Sequence, residues 1–234
     1  MIKAIHFPLE MVGHELDEYL AKGWFRMGQT IFTTDFIPVE GKIHPVFWLR
    51  FDIRKVKFGK KQKRLLATNK EFTVAIQHFR LTDELEALYS IYQANIDFET
   101  SPSVESNLLD GDIANIYDTQ LITVRDKGRL IAAGIFDNGF NSMAGILNFY
   151  HPEYKSKSPG KYLMLLKINY AIETGKHYYY PGYIAGGFSK FDYKLFPDVN
   201  AAELYDSVRE QWVPFPGSSL PVTISFNNDI ENAG

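Results

Sequence analysis

The chain has 234 residues, 45% of them apolar, and a formal net charge of −3 from 25 Lys+Arg against 28 Asp+Glu. That composition suits one large or two small packed domains and excludes a disordered, collagenous or coiled-coil chain. With no Cys at all, disulfides, a thiol nucleophile and every Cys-ligated zinc or iron–sulfur site are excluded, so any metal would need His and carboxylates.

Residues 1–8 contain no apolar core ending in a small-residue cleavage site, and no apolar run approaches the roughly 20 residues of a membrane span. The expectation is a cytoplasmic protein with no membrane partner. Residues 15–22 suit a short helix ended by Gly23. Residues 24–33 are aromatic and β-branched enough for one strand, with Gly28 as a bulge. Residues 43–53 end in the apolar–polar alternation of a half-buried strand. A basic helix over 61–68 and a strand over 72–79 follow. Thr82 offers an N-cap with Asp83, Glu84 and Glu86 in the first turn, ahead of Leu85, Leu88, Tyr89 and Tyr92 at helical spacing. That helix is expected to reach about Phe98. Residues 100–106 read as an ordered loop between two halves.

The runs 120–125, 129–136 and 144–150, joined by Gly-containing turns, predict an antiparallel meander. Pro159-Gly160 then opens an apolar helix over 162–171 that ends at Gly175, and 177–184 predicts a strand beside the meander. The expected organisation is an N-terminal half over 1–105, a C-terminal half over 106–200 and an extension over 201–234.

The small net charge conceals segregation. Between Arg50 and Arg64 stand eight cations (Arg50, Arg54, Lys55, Lys57, Lys60, Lys61, Lys63, Arg64) against Asp52 alone. Residues 81–124 contain nine acids and no Lys or Arg. A segment of such cationic density supplies sequence-independent attraction for phosphates, and the acidic remainder limits non-productive contact. A solvated strand and loop is the competing reading.

The six histidines are scattered, with no His-Glu-x-x-His spacing, so a His metal site is not expected. There is no Gly-x-Ser-x-Gly elbow, P-loop or Gly-x-Gly-x-x-Gly fingerprint. What remains is group transfer by positioning. The turn at 155–162 places Lys155, Lys157 and Lys161 with Ser156 and Ser158 around a helix start, an arrangement that attracts a phosphate or a developing oxyanion. An acyl-CoA N-acyltransferase would show Arg/Gln-x-x-Gly-x-Gly/Ala here, and only Gly160 is kept. The aromatics Tyr150, Tyr154, Tyr162, Tyr178, Tyr179, Tyr180 and Tyr183 divide between core positions and surfaces on which a base or ribose could stack.

The strand–strand–strand–helix–strand order resembles the GCN5-related N-acyltransferase (GNAT) fold. A more extended resemblance covers roughly Gly23 to Pro197. Gly23-Trp24-Phe25-Arg26-Met27-Gly28, the basic segment from Val56 to Val74, Asn148-Phe149-Tyr150-His151-Pro152, Gly160-Lys161-Tyr162, Tyr180-Pro181-Gly182-Tyr183 and Ser189-Lys190-Phe191-Asp192-Tyr193-Lys194 occur in order. They resemble the characteristic elements of the arginyl-tRNA–protein transferases and the bacterial aspartate/glutamate leucyltransferases of the N-end rule pathway. One departure stands out: where that family carries several Cys, residues 33–45 have none, which excludes a metal or cluster role there.

The resemblance implies an α+β, GNAT-like fold with a mixed, largely antiparallel sheet and flanking helices, in two GNAT-like halves. It implies transfer of an amino acid from aminoacyl-tRNA to the N-terminus of an acceptor protein, with no cofactor and no metal. The expected tRNA and substrate contacts are Lys57, Lys60, Lys61, Lys63, Arg64, Lys155, Lys157, Lys161, Lys190 and Lys194. Tyr150, Ser158, Gly160, Tyr162 and Tyr183 are the expected catalytic positions. His151, Glu153 and Asp192 are the nearest candidates for a base, and Asp35 or Glu40 for contact with a substrate amine. An acyl-CoA-dependent N-acyltransferase and a non-catalytic tRNA-binding relative remain as alternatives.

Overall fold

The computed structural model describes residues 2–217. Its elements follow one another as β1 (Ala4–His6), α1 (Gly13–Ala21), β2 (Phe25–Met27), β3 (Thr30–Thr33), β4 (Phe36–Val39), β5 (Lys42–Asp52), α2 (Lys60–Thr68), β6 (Thr73–His78), α3 (Asp83–Gln93) and α4 (Val104–Leu108). They continue as β7 (Thr119–Asp126), β8 (Arg129–Asn138), β9 (Ser142–Tyr150), α5 (Pro159–Glu173), β10 (Tyr178–Ala185), β11 (Ala202–Asp206) and β12 (Gln211–Pro214).

The meander forms as its apolar runs predict: β7, β8 and β9 pair antiparallel, and the β7–β8 turn places Lys127 and Gly128 at φ of 48° and 90°. Both values suit a tight hairpin whose twist matches its strands. Helix α5 then crosses over and returns β10 parallel to β9. The main sheet runs β12-β11-β5-β10-β9-β8-β7-β6, with β4 paired to β5, while β1-β3-β2 form a small separate sheet. This is the expected α+β class, a mixed and largely antiparallel sheet flanked by helices.

Both faces of the sheet are covered, and strand alternation shows how. Ile122 and Ala132 join the cluster that holds Leu163, Ile168 and Ala171 of α5, whereas their chain neighbours Leu121 and Ala133 join Leu85, Leu88 and Tyr89 of α3 with Val104 and Leu108 of α4. Helix α1 covers a third cluster with Leu16 and Leu20 beside Ala144 and Tyr180.

Arg26 ties the small sheet to the large one. Its buried guanidinium donates to Asp137 Oδ1 at 2.8 Å, Thr119 Oγ1 at 2.9 Å and the Leu108 carbonyl at 2.6 Å, and lies 4.2 Å from the centre of the Tyr117 ring. Burial pushes the Asp137 carboxyl up, against the opposing pull of Arg26 and a hydrogen bond from Thr119.

Several local expectations need correction. Residues 24–33 form a hairpin, β2 and β3, because the chain reverses at Gly28, which takes φ 58°. Helix α3 ends at Gln93 rather than near Phe98. Residues 104–108 are helical because Ser103 and Ser106 form a reciprocal capping box. The boundary read at residue 105 falls within α4, and β5 of the first half lies between β11 and β10. Of the extension read over 201–234, residues 218–234 lie outside the described residues.

Candidate functional site

The parallel pairing of β10 with β9 is short. It covers Tyr178, Tyr179 and Tyr180 opposite Ser142, Met143 and Ala144. Beyond it, β9 continues to Tyr150 against β8, while β10 turns its pairing to β5 through an irregularity between Tyr179 and Gly182. The residues explain the divergence: Pro181 has no amide hydrogen to donate, and Gly182 takes φ 93°. On the other strand the β8–β9 register shifts between Ile135 and Phe136, leaving Ile146 without a direct partner, as in a bulge. The two strands therefore separate toward their carboxyl ends.

Lys167 lies beneath that bulge. Fully buried in α5, its ammonium donates to the Ile135 carbonyl at 2.7 Å and the Leu147 carbonyl at 3.3 Å. Burial lowers its pKa to about 7, against the attraction of Asp137. Asn148 Oδ1, close beside it, is buried and has no hydrogen-bond partner among the described residues. Sequence reasoning passed over both, although a single Lys inside the apolar run Met164-Leu165-Leu166-Lys167-Ile168 was a visible signal.

At the open end of the gap, Ser158 precedes α5 with φ 50°, a left-handed conformation that is uncommon for Ser. The Tyr162 amide donates to its carbonyl at 3.0 Å. Pro159 has no amide hydrogen, and the first-turn amides of Gly160 and Lys161 have no acceptor within the helix. Tyr150, at the end of β9, stands against this start: a Cβ on Gly160 would lie 3.7 Å from its ring. Tyr162 packs into the core, and burial raises its hydroxyl pKa.

The basic helix lies beside the same helix start. Asn69 Nδ2, at the end of α2, donates to the Lys157 carbonyl at 3.2 Å, and Gln62 Nε2 donates to the Phe196 carbonyl, whose ring lies 4.9 Å from the Lys161 ammonium. The amide of Lys57 donates to Asp198. Lys60, Lys61, Lys63 and Arg64 are exposed, and none of them pairs with a carboxylate among the described residues. Lys157 pairs with Glu71 at 2.8 Å. The fold thus gathers Lys57 to Arg64 with Lys155, Lys157 and Lys161 around the beginning of α5.

Tyr183, Lys190 and Lys194 form a separate group beyond β10. The Lys194 ammonium donates to the Tyr183 carbonyl at 2.8 Å and lies about 5 Å from the Tyr183 and Phe191 rings; burial lowers its pKa to about 8. Lys190 pairs with Glu40 at 3.7 Å, and Asp35 with Lys3 at 3.0 Å, so both carboxylates considered for a substrate amine already face cations. His151 and Glu153 are both engaged by Arg129, at 2.8 and 3.0 Å, while Asp192 has its carboxyl pKa raised by burial.

Beside Tyr150 opens a cleft of about 530 Å³, lined among others by Tyr92, Asp97, Phe98, Pro152 and Lys155. The Tyr92 and Tyr150 rings are 5.3 Å apart, and burial pushes the Tyr92 hydroxyl up to about 12, with Tyr150 and Tyr193 adding to the rise. Among the described residues, no cluster of three His, Asp or Glu could hold a metal ion, and no helix is long and apolar enough to cross a membrane.

Residues 84–197 match the family model described as arginine-tRNA-protein transferase, C terminus. The chain is 26% identical to an aspartate/glutamate leucyltransferase of Leptospira interrogans over 83% of its own length and 76% of the relative's. It is 38% identical to arginyl-tRNA–protein transferase 1 of Arabidopsis thaliana over 39% of its length and 15% of that protein's. Among solved structures it is similar to FemX, at 13% identity and a TM-score of 0.48, covering 81% of this chain and 65% of that one.

Proposed function

We propose that this chain, which belongs to the arginyl-tRNA–protein transferase family together with the aspartate/glutamate leucyltransferases, moves an amino acid from aminoacyl-tRNA onto the N-terminal amine of an acceptor protein. The donor is an ester and already activated. The amine nitrogen attacks the ester carbonyl, a C–N bond forms, the C–O bond to the ribose breaks, and a proton from the amine ends on the departing ribose oxygen. No redox partner or added energy source enters that balance. The work left to the protein is orientation and stabilisation of the transient oxyanion.

In this reading Lys57, Lys60, Lys61, Lys63 and Arg64 contact tRNA phosphates, and Lys155, Lys157 and Lys161 guide the 3′ end to the start of α5. The amides of Gly160 and Lys161 face the oxyanion, beside Ser158. Tyr150 walls the site, with Tyr162 in the core behind it, while Tyr183, Lys190 and Lys194, grouped beyond β10, stand apart from it. The single observation that supports it best is the placement of the carboxylate-free cations of α2 beside the helix start that borders the separated strands. Incubation with charged tRNAs and peptides of varied N-terminus tests it: label transfer to a free N-terminus is expected. No transfer from arginyl-, leucyl- or other aminoacyl-tRNAs would overturn it.

A further inference from the structure

The two edges of the main sheet are unlike. At one end β12 has four residues and closes on Pro214, which has no amide hydrogen to offer another strand. At the other end β6 has six, paired to β7 in unbroken register from Thr73 opposite Arg125 to His78 opposite Gln120. Alternate amides and carbonyls of β6 therefore point away from the sheet, and among the described residues no strand receives them. Sheet edges in native proteins are commonly blunted by Lys, Pro, a bulge or an inward charge. Residues 72–79, Phe-Thr-Val-Ala-Ile-Gln-His-Phe, contain no Asp, Glu, Lys, Arg, Pro or Gly. Thr73, Ala75, Ile76, Gln77 and His78 are exposed. Val74 and Ile76 stand opposite Val124 and Ile122, on the side of the sheet that α5 covers, and Ile76 remains 36% exposed. An apolar rim thus runs out to an open hydrogen-bonding edge.

We propose that this edge pairs with β6 of a second copy of the chain, antiparallel about a two-fold axis at Ile76, so that the main sheet continues from one chain into the other. A strand placed antiparallel to itself is self-complementary: the outward amides of each copy meet outward carbonyls of the other, and an axis perpendicular to the sheet keeps like faces together. Ile76 then meets its own counterpart on the α5 side, and Ala75 stands opposite Gln77 on the other. Charge agrees with this occupant. The strand itself is neutral, and the nearest charges are Lys70 and Glu71 before it and Arg80 after it. Pairing about Ile76 brings Glu71 of each copy within one residue of Arg80 of the other and sets Lys70 further from that Arg80. The same axis leaves both α2 helices, whose Leu65 and Leu66 pack on the α5-side cluster, on one side of the joined sheet. The pairing does not depend on the transfer reading.

Because the chain has no Cys, single introduced thiols report the contact directly. Oxidation of Ile76→Cys should give a covalent dimer, whereas Val208→Cys, exposed in the turn between β11 and β12 at the opposite edge, should not. On the full unsubstituted chain, sedimentation velocity from micromolar to submillimolar concentration should show a reversible monomer–dimer equilibrium, as suits a small interface. Gln77→Lys, at an exposed position, should raise the dissociation constant at least about tenfold by placing a charge at the seam, with the far-ultraviolet circular dichroism unchanged. Hydrogen exchange should show the outward amides of residues 73–78 gaining protection as concentration rises. A monomer throughout that range, a dimer indifferent to Gln77→Lys, or equal cross-linking of the two Cys variants would overturn the proposal. So would outward β6 amides protected equally at every concentration, which would assign the edge to another segment of the same chain.

Discussion

The Lys167 ammonium donates to the carbonyl of Ile135 at 2.7 Å, placing a buried cation under the bulge where β9 begins to leave β10. Its pKa of about 7 lies well below the ordinary lysine value of 10.5. Between those values the unfolded chain binds more protons than the native one, so stability attributable to Lys167 rises with pH above about 7 and is flat below it. The rise approaches at most about 1.4 kcal/mol per pH unit. Urea denaturation of the wild type and Lys167→Met from pH 6 to pH 9 should show the wild type gaining relative to the variant as pH rises. Parallel pH profiles would refute this assignment.

Arg26 and Asp137 form the second buried charge relationship. Arg26→Met would leave the Asp137 carboxylate, with side-chain exposure of 0%, facing no cation at that place, a loss on the order of 3–5 kcal/mol. Arg26→Lys should recover only part of it, because one ammonium cannot reproduce a planar fork that reaches Thr119, Asp137 and Leu108 together. Asp137→Asn introduced beside Arg26→Met should restore stability relative to Arg26→Met alone. Thermal denaturation of the four proteins measures the coupling.

These relationships also show which parts of the molecule local sequence reveals. The meander, α5 and β10 were legible because strands and helices that face a core on one or both sides carry their period in adjacent residues. The Arg26–Asp137 pair spans 111 positions, and nothing near Arg26 signals its partner. Gly28 was ambiguous for a physical reason: a bulge and a reversal both use its left-handed conformation, and the two arms share one composition. The cations at 57–64 and 155–161 were each visible, but their proximity depends on Asn69 meeting Lys157 across the α2–α5 contact. The cleft was hidden because α3 was read through to Phe98, which would have placed Asp97 and Phe98 on the helix. Ending at Gln93 leaves them in the cleft wall.

Gly145 and Tyr179 mark the point where the strands part. A Cβ on Gly145 would collide with the Tyr179 hydroxyl and press on its ring. Gly145→Ala should cost about 1–3 kcal/mol through overpacking, read as a lower urea midpoint. Tyr179→Phe in the same chain should return part of that loss, since the first colliding atom is gone. Equal destabilisation by Gly145→Ala in both backgrounds would place the strain elsewhere.

The exposed cations of α2 yield a prediction that separates phosphate contact from structural support. Lys60 and Lys63 are solvent-exposed and have no carboxylate partner among the described residues, so Lys60→Ala with Lys63→Ala should leave the melting temperature nearly unchanged. If both contact tRNA phosphates, the slope of log K against log salt should become shallower by about 1.4 to 1.8, at roughly 0.7 to 0.9 for each phosphate that is no longer neutralised. Affinity should fall at low salt and converge with the wild type as salt increases. The matched control is Lys157→Ala: its ammonium already pairs with Glu71, so its removal should change the slope less than removal of either free cation. A double variant with unchanged slope would take α2 out of the tRNA surface and leave only the cations around the start of α5 to hold the donor.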